Sequence, residues 1–122
     1  MNFIKPIRIH FSNLSDYKTV LYSAEGNVVI QSIRCCNKSR NQIRVNLQAV
    51  ALLENPIQEA FLQHEVLILP NQTADLLSTM YANTALIVEH RMFNGDNLIC
   101  YADSYQNEFD CTVVGYEEIE NI

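Results

Sequence analysis

The clearest pattern in this chain is an alternation. From residue 42 to 53, Ile43, Val45, Leu47, Ala49, Ala51 and Leu53 fall on one side, and Gln42, Arg44, Asn46 and Gln48 on the other. A period of two over such a run predicts a strand with one face buried and one wet. Val50 and Leu52 interrupt the polar side, so the end of the strand is expected to be covered on both faces. The same reading places strands at KTVLYS (18–23), VVIQSIRCC (28–36), VLIL (66–69), ALIVEHR (85–91), LICYADS (98–104) and DCTVVGYEEI (110–119). Several of these are rich in the β-branched residues that suit a pleated surface. Between them lie turn signals: AEGN, NKSRN, Asn55-Pro56, PNQT, FNGDN and YQNE. Asn94-Gly95 is the strongest of these as a hairpin signal.

Two stretches are ambiguous. Ile57, Ala60, Phe61 and His64 are spaced as on a helix, and TADLLSTMYANT (73–84) reads either as a short helix capped by Asn71 or Thr73 or as a strand. Residues 1–16 alternate through Phe3, Ile7, Ile9 and Phe11, but Pro6 restricts them to an arm or an edge strand. The expectation is therefore an all-β chain of about seven or eight strands, an antiparallel sandwich of jelly-roll type with at most one short helix. Residues 1–16 form the arm or edge strand and residues 17–122 a single domain. Residues 28–36 are expected to form a hairpin with 41–53, and LICYADS one with DCTVVGYEEI.

Composition narrows the function classes. Hydrophobic residues make up 48% of the 122 and charged residues 18%, which is the balance of a globular domain. No apolar run approaches the ~20 residues of a membrane span, and the N-terminal stretch lacks the apolar core of a signal peptide. Charge is segregated along the chain. Seven of the eight basic residues lie at or before Arg44 and twelve of the fourteen acidic ones at or after Glu54, giving +5 up to Arg44 and −11 beyond it. Arg34, Lys38, Arg40 and Arg44 form a basic cluster that reads as a solvated sheet face, a contact for an acidic neighbour or a polyanion site. No aromatic residue lies between Tyr22 and Phe61 to stack on bases, and the net charge of −6 opposes a polyanion, so direct nucleic-acid binding is disfavoured.

Candidate chemistry is sparse. Cys35 and Cys36 are adjacent, so on a strand they point to opposite faces and do not converge on one metal. Cys100 and Cys111 fall opposite each other if their two strands pair, as neighbouring packed thiols; a cross-strand disulfide is the alternative in an oxidising setting. His10, His64 and His90 stand alone, and no CxxC, HExxH, GxSxG or phosphate-cradling glycine loop occurs. The carboxylates at 117–120 sit at a chain end rather than across a cleft. No catalytic residue, cofactor site or metal site is predicted. An enzyme is not expected.

Beyond these local features, LYSAEGNVVIQSIRCCN followed by the alternating IRVNLQAV, and later MFNGDNLICYADS with CTVVGYEE, is similar to a group of small structural proteins of tailed bacteriophages and prophages. Those proteins share a Leu-Tyr strand end, a V-I-x-S-I strand, an alternating strand, and a late G-D-x-L hairpin. The resemblance implies a non-enzymatic virion component of the neck, tail or capsid surface, made in the bacterial host. It would assemble as a symmetric homo-oligomer and contact other virion proteins. Under that reading Arg34, Lys38, Arg40 and Arg44 of one copy would face acidic strands including Glu117 and Glu118 of the next. The alternative class is a carbohydrate- or ligand-binding sandwich module, with Tyr101, Tyr105, Phe109 and Tyr116 as a stacking platform and Asp96, Asp103 and Asp110 as calcium ligands.

Overall fold

The computed structural model describes residues 2–50, 59–77, 89–103 and 108–120. Within them the chain forms nine strands: β1 (Asn2–Leu14), β2 (Thr19–Ser23), β3 (Asn27–Asn37), β4 (Ile43–Val50), β5 (Glu59–Ile68), β6 (Thr73–Asp75), β7 (His90–Met92), β8 (Asn97–Ala102) and β9 (Phe109–Glu120). They make two antiparallel sheets. Sheet A has the order β1-β9-β3-β6, with β7 also on the far side of β3; sheet B has the order β2-β8-β4-β5. The expected all-β sandwich is what the chain forms, and none of the described residues is helical. The helical reading of 57–64 gives way to β5 from Glu59 onward. That of 71–84 gives way to β6 and a turn at Leu76–Leu77, and residues 78–84 lie outside the described residues.

The core lies between the sheets. Leu21, Ile30, Ile33, Ile43, Leu47, Leu98, Phe109 and Val113 are all buried there with Cys35, Cys100 and Cys111. Alternation supplies this directly: on β9, Phe109, Cys111, Val113 and Gly115 point in, while Asp110, Thr112, Val114 and Tyr116 remain half-exposed. On β4 the wet face is shorter than the pattern implies. Arg44 is exposed, but Asn46 and Gln48 are buried. The Asn46 side-chain oxygen accepts the N–H of Glu65 at 3.0 Å, where β5 bulges through a left-handed residue (φ 54°).

Neither expected hairpin exists. β3 lies in sheet A and β4 in sheet B, and β8 pairs with β2 and β4 while β9 pairs with β1 and β3. The loop after β3 is a crossing between sheets, fastened by the buried Asn37. Its amide donates to the carbonyls of Asn41 (2.7 Å) and Ile68 (3.0 Å), and its oxygen accepts from the Ser39 N–H (2.8 Å) and hydroxyl (2.7 Å). Every side-chain hydrogen-bonding group of this buried residue is thus engaged, which makes the crossing affordable. The Asn-Gly turn is likewise a crossing. Gly95 has φ 92°, its N–H donates to the Ala24 carbonyl at 2.8 Å, and the Ala24 N–H donates to the Asp96 carbonyl at 2.9 Å, docking this turn against the one before β3. Gly95 alone is left-handed, as in a type II turn, whereas the type I′ hairpin that Asn-Gly favours needs Asn94 left-handed too, and β7 and β8 do not pair.

Candidate functional site

β1 is a 13-residue strand at the margin of sheet A. It pairs with β9 from Asn2↔Glu120 to Leu14↔Phe109, and among the described residues nothing pairs with its other side. Its sequence explains the placement. Ile7, Ile9 and Phe11 alternate toward the core, and Pro6, which lacks a donor, is tolerated only at such a margin. At the start of the strand the apolar residues face water: Phe3 is 51% exposed, Ile4 64%, and Ile119, the register partner of Phe3, 41%. A long free edge beside exposed apolar side chains is a template for another strand.

The strand ends in a polar node. Between Phe11 and Leu14 the register slips around Asn13, which is left-handed at φ 58°. Its N–H donates to Asp110 Oδ1 at 3.0 Å, and the Lys38 ammonium lies 2.9 Å from the same carboxylate while also donating to the Asn13 side-chain oxygen. The Tyr17 hydroxyl donates to the Asn13 carbonyl at 3.1 Å. Partial burial works against the Asp110 carboxylate, but Lys38, the Asn13 N–H and nearby His10 outweigh it and hold its carboxyl below the usual range. A lowered folded value contributes stability that is present above the ordinary carboxyl value of about 3.9 and disappears as pH falls through the folded value. Asp110→Asn is therefore expected to cost about 1 kcal/mol at pH 7. In urea unfolding the gap from wild type should close toward pH 2. A gap that persists there would mean the loss is not electrostatic.

Beside β1, on the outward face of sheet A, Arg8, Ser32, Arg34, Thr112 and Val114 line a shallow cleft of about 360 Å³. Register explains its shape: Arg8 lies opposite Val114 on β9, and Arg34 opposite Thr112, so the two guanidiniums flank β9 diagonally. The hydroxyls are already engaged. Ser32 donates to Asp75 at 2.8 Å and Thr112 shares a 2.9 Å hydrogen bond with His10.

The other charged candidates are dispersed. Lys38 is spent on Asp110, Arg40 is exposed on the β3–β4 crossing, and Arg44 is exposed on sheet B, where its N–H is held by Asp103 at 3.2 Å. The basic cluster is thus shared between two sheets rather than lying on one hairpin face, because the loop after β3 changes sheets. Glu117 and Glu118 lie at the opposite end of sheet A, facing Val28 and Asn27. Glu118 pairs with Arg91 at 3.4 Å. Burial first, then the carboxylates of Glu117 and Glu25, raise the Tyr22 phenol there. Folding also interleaves the signs, since Asp75, Asp103 and Asp110 sit among the basic residues, so the segregation along the chain is not a segregation in space.

Among the described residues the pieces of a glycan or calcium site do not converge. Phe109 is fully buried, Tyr101 carries the Lys18 ammonium 5.6 Å above its ring, and Tyr105 lies outside the described residues. Asp96 accepts the Phe93 N–H, and Asp103 and Asp110 accept those of Arg44 and Asn13. Among the described residues no three His, Cys, Asp or Glu side chains are grouped to hold a metal ion. Residues 1–16, expected from their apolar alternation and Pro6 to be an arm that pairs with an adjacent subunit by strand addition, hold β1, and Phe3 and Ile4 are exposed at its start.

No family model and no curated protein sequence matches the chain. Among solved structures, a chain from the disulfide-linked pili of Bacillus endospore appendages superposes with a TM-score of 0.51 at 6% identity, covering 98% of this chain and 89% of that one. A chain of infectious bursal disease virus (Gt strain) superposes with a TM-score of 0.41 at 8% identity, covering 98% of this chain but 38% of its own. What the chain has in common with the pilus protein is the fold.

Proposed function

We propose that this chain is a non-enzymatic structural subunit that joins copies of itself by strand addition along the free edge of β1. The observation that carries the reading is that edge: 13 residues, paired on one side only among the described residues, with Phe3, Ile4 and Ile119 exposed at one end. Backbone groups would supply affinity and the exposed apolar side chains register. The protein of the Bacillus endospore appendages shares the sandwich and forms disulfide-linked pili, which favours an assembling use of the fold here. The resemblance of LYSAEGNVVIQSIRCCN and MFNGDNLICYADS to tailed-phage structural proteins is what supports reading the subunit as part of a phage particle, at the neck, tail or capsid surface.

Charge plays the smaller part. Arg8 and Arg34 flank a cleft next to the free edge and suit a carboxylate of the adjoining copy, which would steer assembly more than strengthen it. Glu117 and Glu118 are the carboxylates proposed to reach it.

The test is solution mass by light scattering across a concentration series. Wild type is expected to form oligomers. Phe3→Lys with Ile4→Lys is expected to reduce them to monomer while thermal unfolding stays within a few degrees, because both side chains are exposed. Oligomers of unchanged mass in the double variant, or a wild type that stays monomeric at every concentration, would refute edge assembly. Raised salt and the double charge reversal Arg8→Glu with Arg34→Glu are expected to slow association with little change in final mass.

A further inference from the structure

Three neighbouring strands of sheet A turn polar side chains outward in two rows. In one row Arg8 on β1 and Ser32 on β3 both lie opposite Val114 of β9; in the next, His10 and Arg34 both lie opposite Thr112. Directly opposed residues of an antiparallel pair share a face, so all six stand on the same side of the sheet. All but His10 line the cleft of about 360 Å³. Arg8 and Arg34 occupy opposite corners, two strands and two residues apart, which sets their Cα atoms ~12 Å from each other. Both are exposed, and among the described residues neither guanidinium meets a carboxylate. Lys38 and Arg91, by contrast, are paired with Asp110 and Glu118.

We propose that this cleft binds a tetrahedral dianion of the phosphate or sulfate class. A carboxylate offers two oxygens in one plane and is satisfied by a single guanidinium fork. Here two forks approach from strands on either side of β9, which suits a ligand with oxygens on more than one side. Thr112 lies between them. Its 2.9 Å hydrogen bond with His10 Nδ1 leaves the O–H free to donate into the cleft in the tautomer where Nδ1 carries the proton. Asp75, the register partner of Arg34 on β6, is the opposing charge. Its oxygens accept the Ser32 hydroxyl at 2.8 Å and the N–H groups of Ile33 at 3.2 Å and Leu77 at 3.1 Å, so much of that charge is already met.

Strand addition, as proposed above, brings a carboxylate of the adjoining copy to the same cleft. A free dianion would compete with it and slow association. That consequence rests on the assembly reading, whereas the binding itself does not.

The experiment titrates sodium sulfate into the dilute, isotope-labelled full chain, with sodium chloride holding the ionic strength constant, and follows the side chains by NMR. The Nε–H signals of Arg8 and Arg34 and the amide of Thr112 are expected to shift together and saturate, while the Nε–H signals of Arg40 and Arg44 stay in place. Arg8→Gln and Arg34→Gln should each weaken sulfate binding at least about tenfold. Arg40→Gln should leave it unchanged; all three side chains are exposed, so the fold is kept. Phosphate should bind as sulfate does, and dimethyl phosphate, a monoanion, several-fold more weakly. Glycerol phosphate separates the sources: binding equal to phosphate assigns the site to phosphorylated molecules, and exclusion assigns it to the free ion. Shifts that spread equally to Arg40 and Arg44, survive both glutamine variants, or appear as strongly with acetate would overturn the site. Because the reading is taken on the dilute chain, its failure leaves strand addition standing, and failure of strand addition leaves this site standing.

Discussion

Gly115→Ala is expected to destabilise the protein by about 3 kcal/mol or more, lowering the melting temperature by roughly 10 °C or more. Gly115 sits in the middle of β9, opposite Ile7 on β1 and Ile30 on β3. A Cβ there would lie 2.2 Å from the Val29 carbonyl oxygen and 3.0 Å from the Ile30 Cα. Those are backbone atoms of a neighbouring strand, so no side chain can swing aside. Relief requires β3 to move where its register already slips between Ile30 and Ser32. Gly26→Ala is the control. Its Cβ would meet only Glu117 Oε1, at 3.5 Å, an ordinary contact with a flexible side chain, and the change should stay within about 1 kcal/mol. Parallel thermal melts check both. A tolerated Gly115→Ala would mean that β9 and β3 do not approach as described.

Phe109→Ala carries the second large effect, about 3–5 kcal/mol. Phe109 is fully buried, opens β9, and lies opposite both Leu14 and Asn37, so it fills the core where β1 bulges and the β3–β4 crossing begins. Truncation leaves a cavity beside the polar fastening of Asn37, where collapse would disturb buried hydrogen bonds. In urea the midpoint should fall while the slope is unchanged. Loss of sugar binding with intact stability would instead restore the aromatic-platform reading.

A smaller effect follows from His90, opposite Ile30 on β7. Burial lowers its imidazole, and the opposing influence of Asp96 is weaker. The unfolded chain then binds the proton more readily, so stability should fall as pH drops below about 6.5 toward the lowered folded value. His90→Gln should flatten that part of a urea-stability profile.

Local chemistry was legible in the sequence and long-range pairing was not. The alternation around Ile43, Val45 and Leu47 and the β-branched run at Val28–Ile30 mark strands whose observed ends fall within a few residues of the expected ones. Burial of one face is enough to impose that period. The sheet to which a strand belongs depends on contacts far along the chain, so adjacency suggested the hairpins 28–36 with 41–53 and 98–104 with 110–119, and both were wrong. NKSRN crosses between sheets because Asn37 can satisfy a buried turn, a property of one side chain that no periodicity records. Cys100 and Cys111 were expected opposite each other through a pairing that does not exist; they lie on different sheets, both buried in the core. Charge misled for the same reason. The run from Arg34 to Arg44 looks like one basic face, yet folding pairs Lys38 with Asp110 and puts Arg44 on the other sheet.

The free edge of β1 is the centre of this account, and amide hydrogen exchange tests it most directly. Measured at low and at high protein concentration, Asn2–Leu14 should gain protection on concentration, with the gain confined to the N–H groups that do not already pair with β9 and to Phe3, Ile4 and Ile119 nearby. Exchange in β1 that ignores concentration, or a gain of protection centred on β5 or β2, would contradict assembly through this edge.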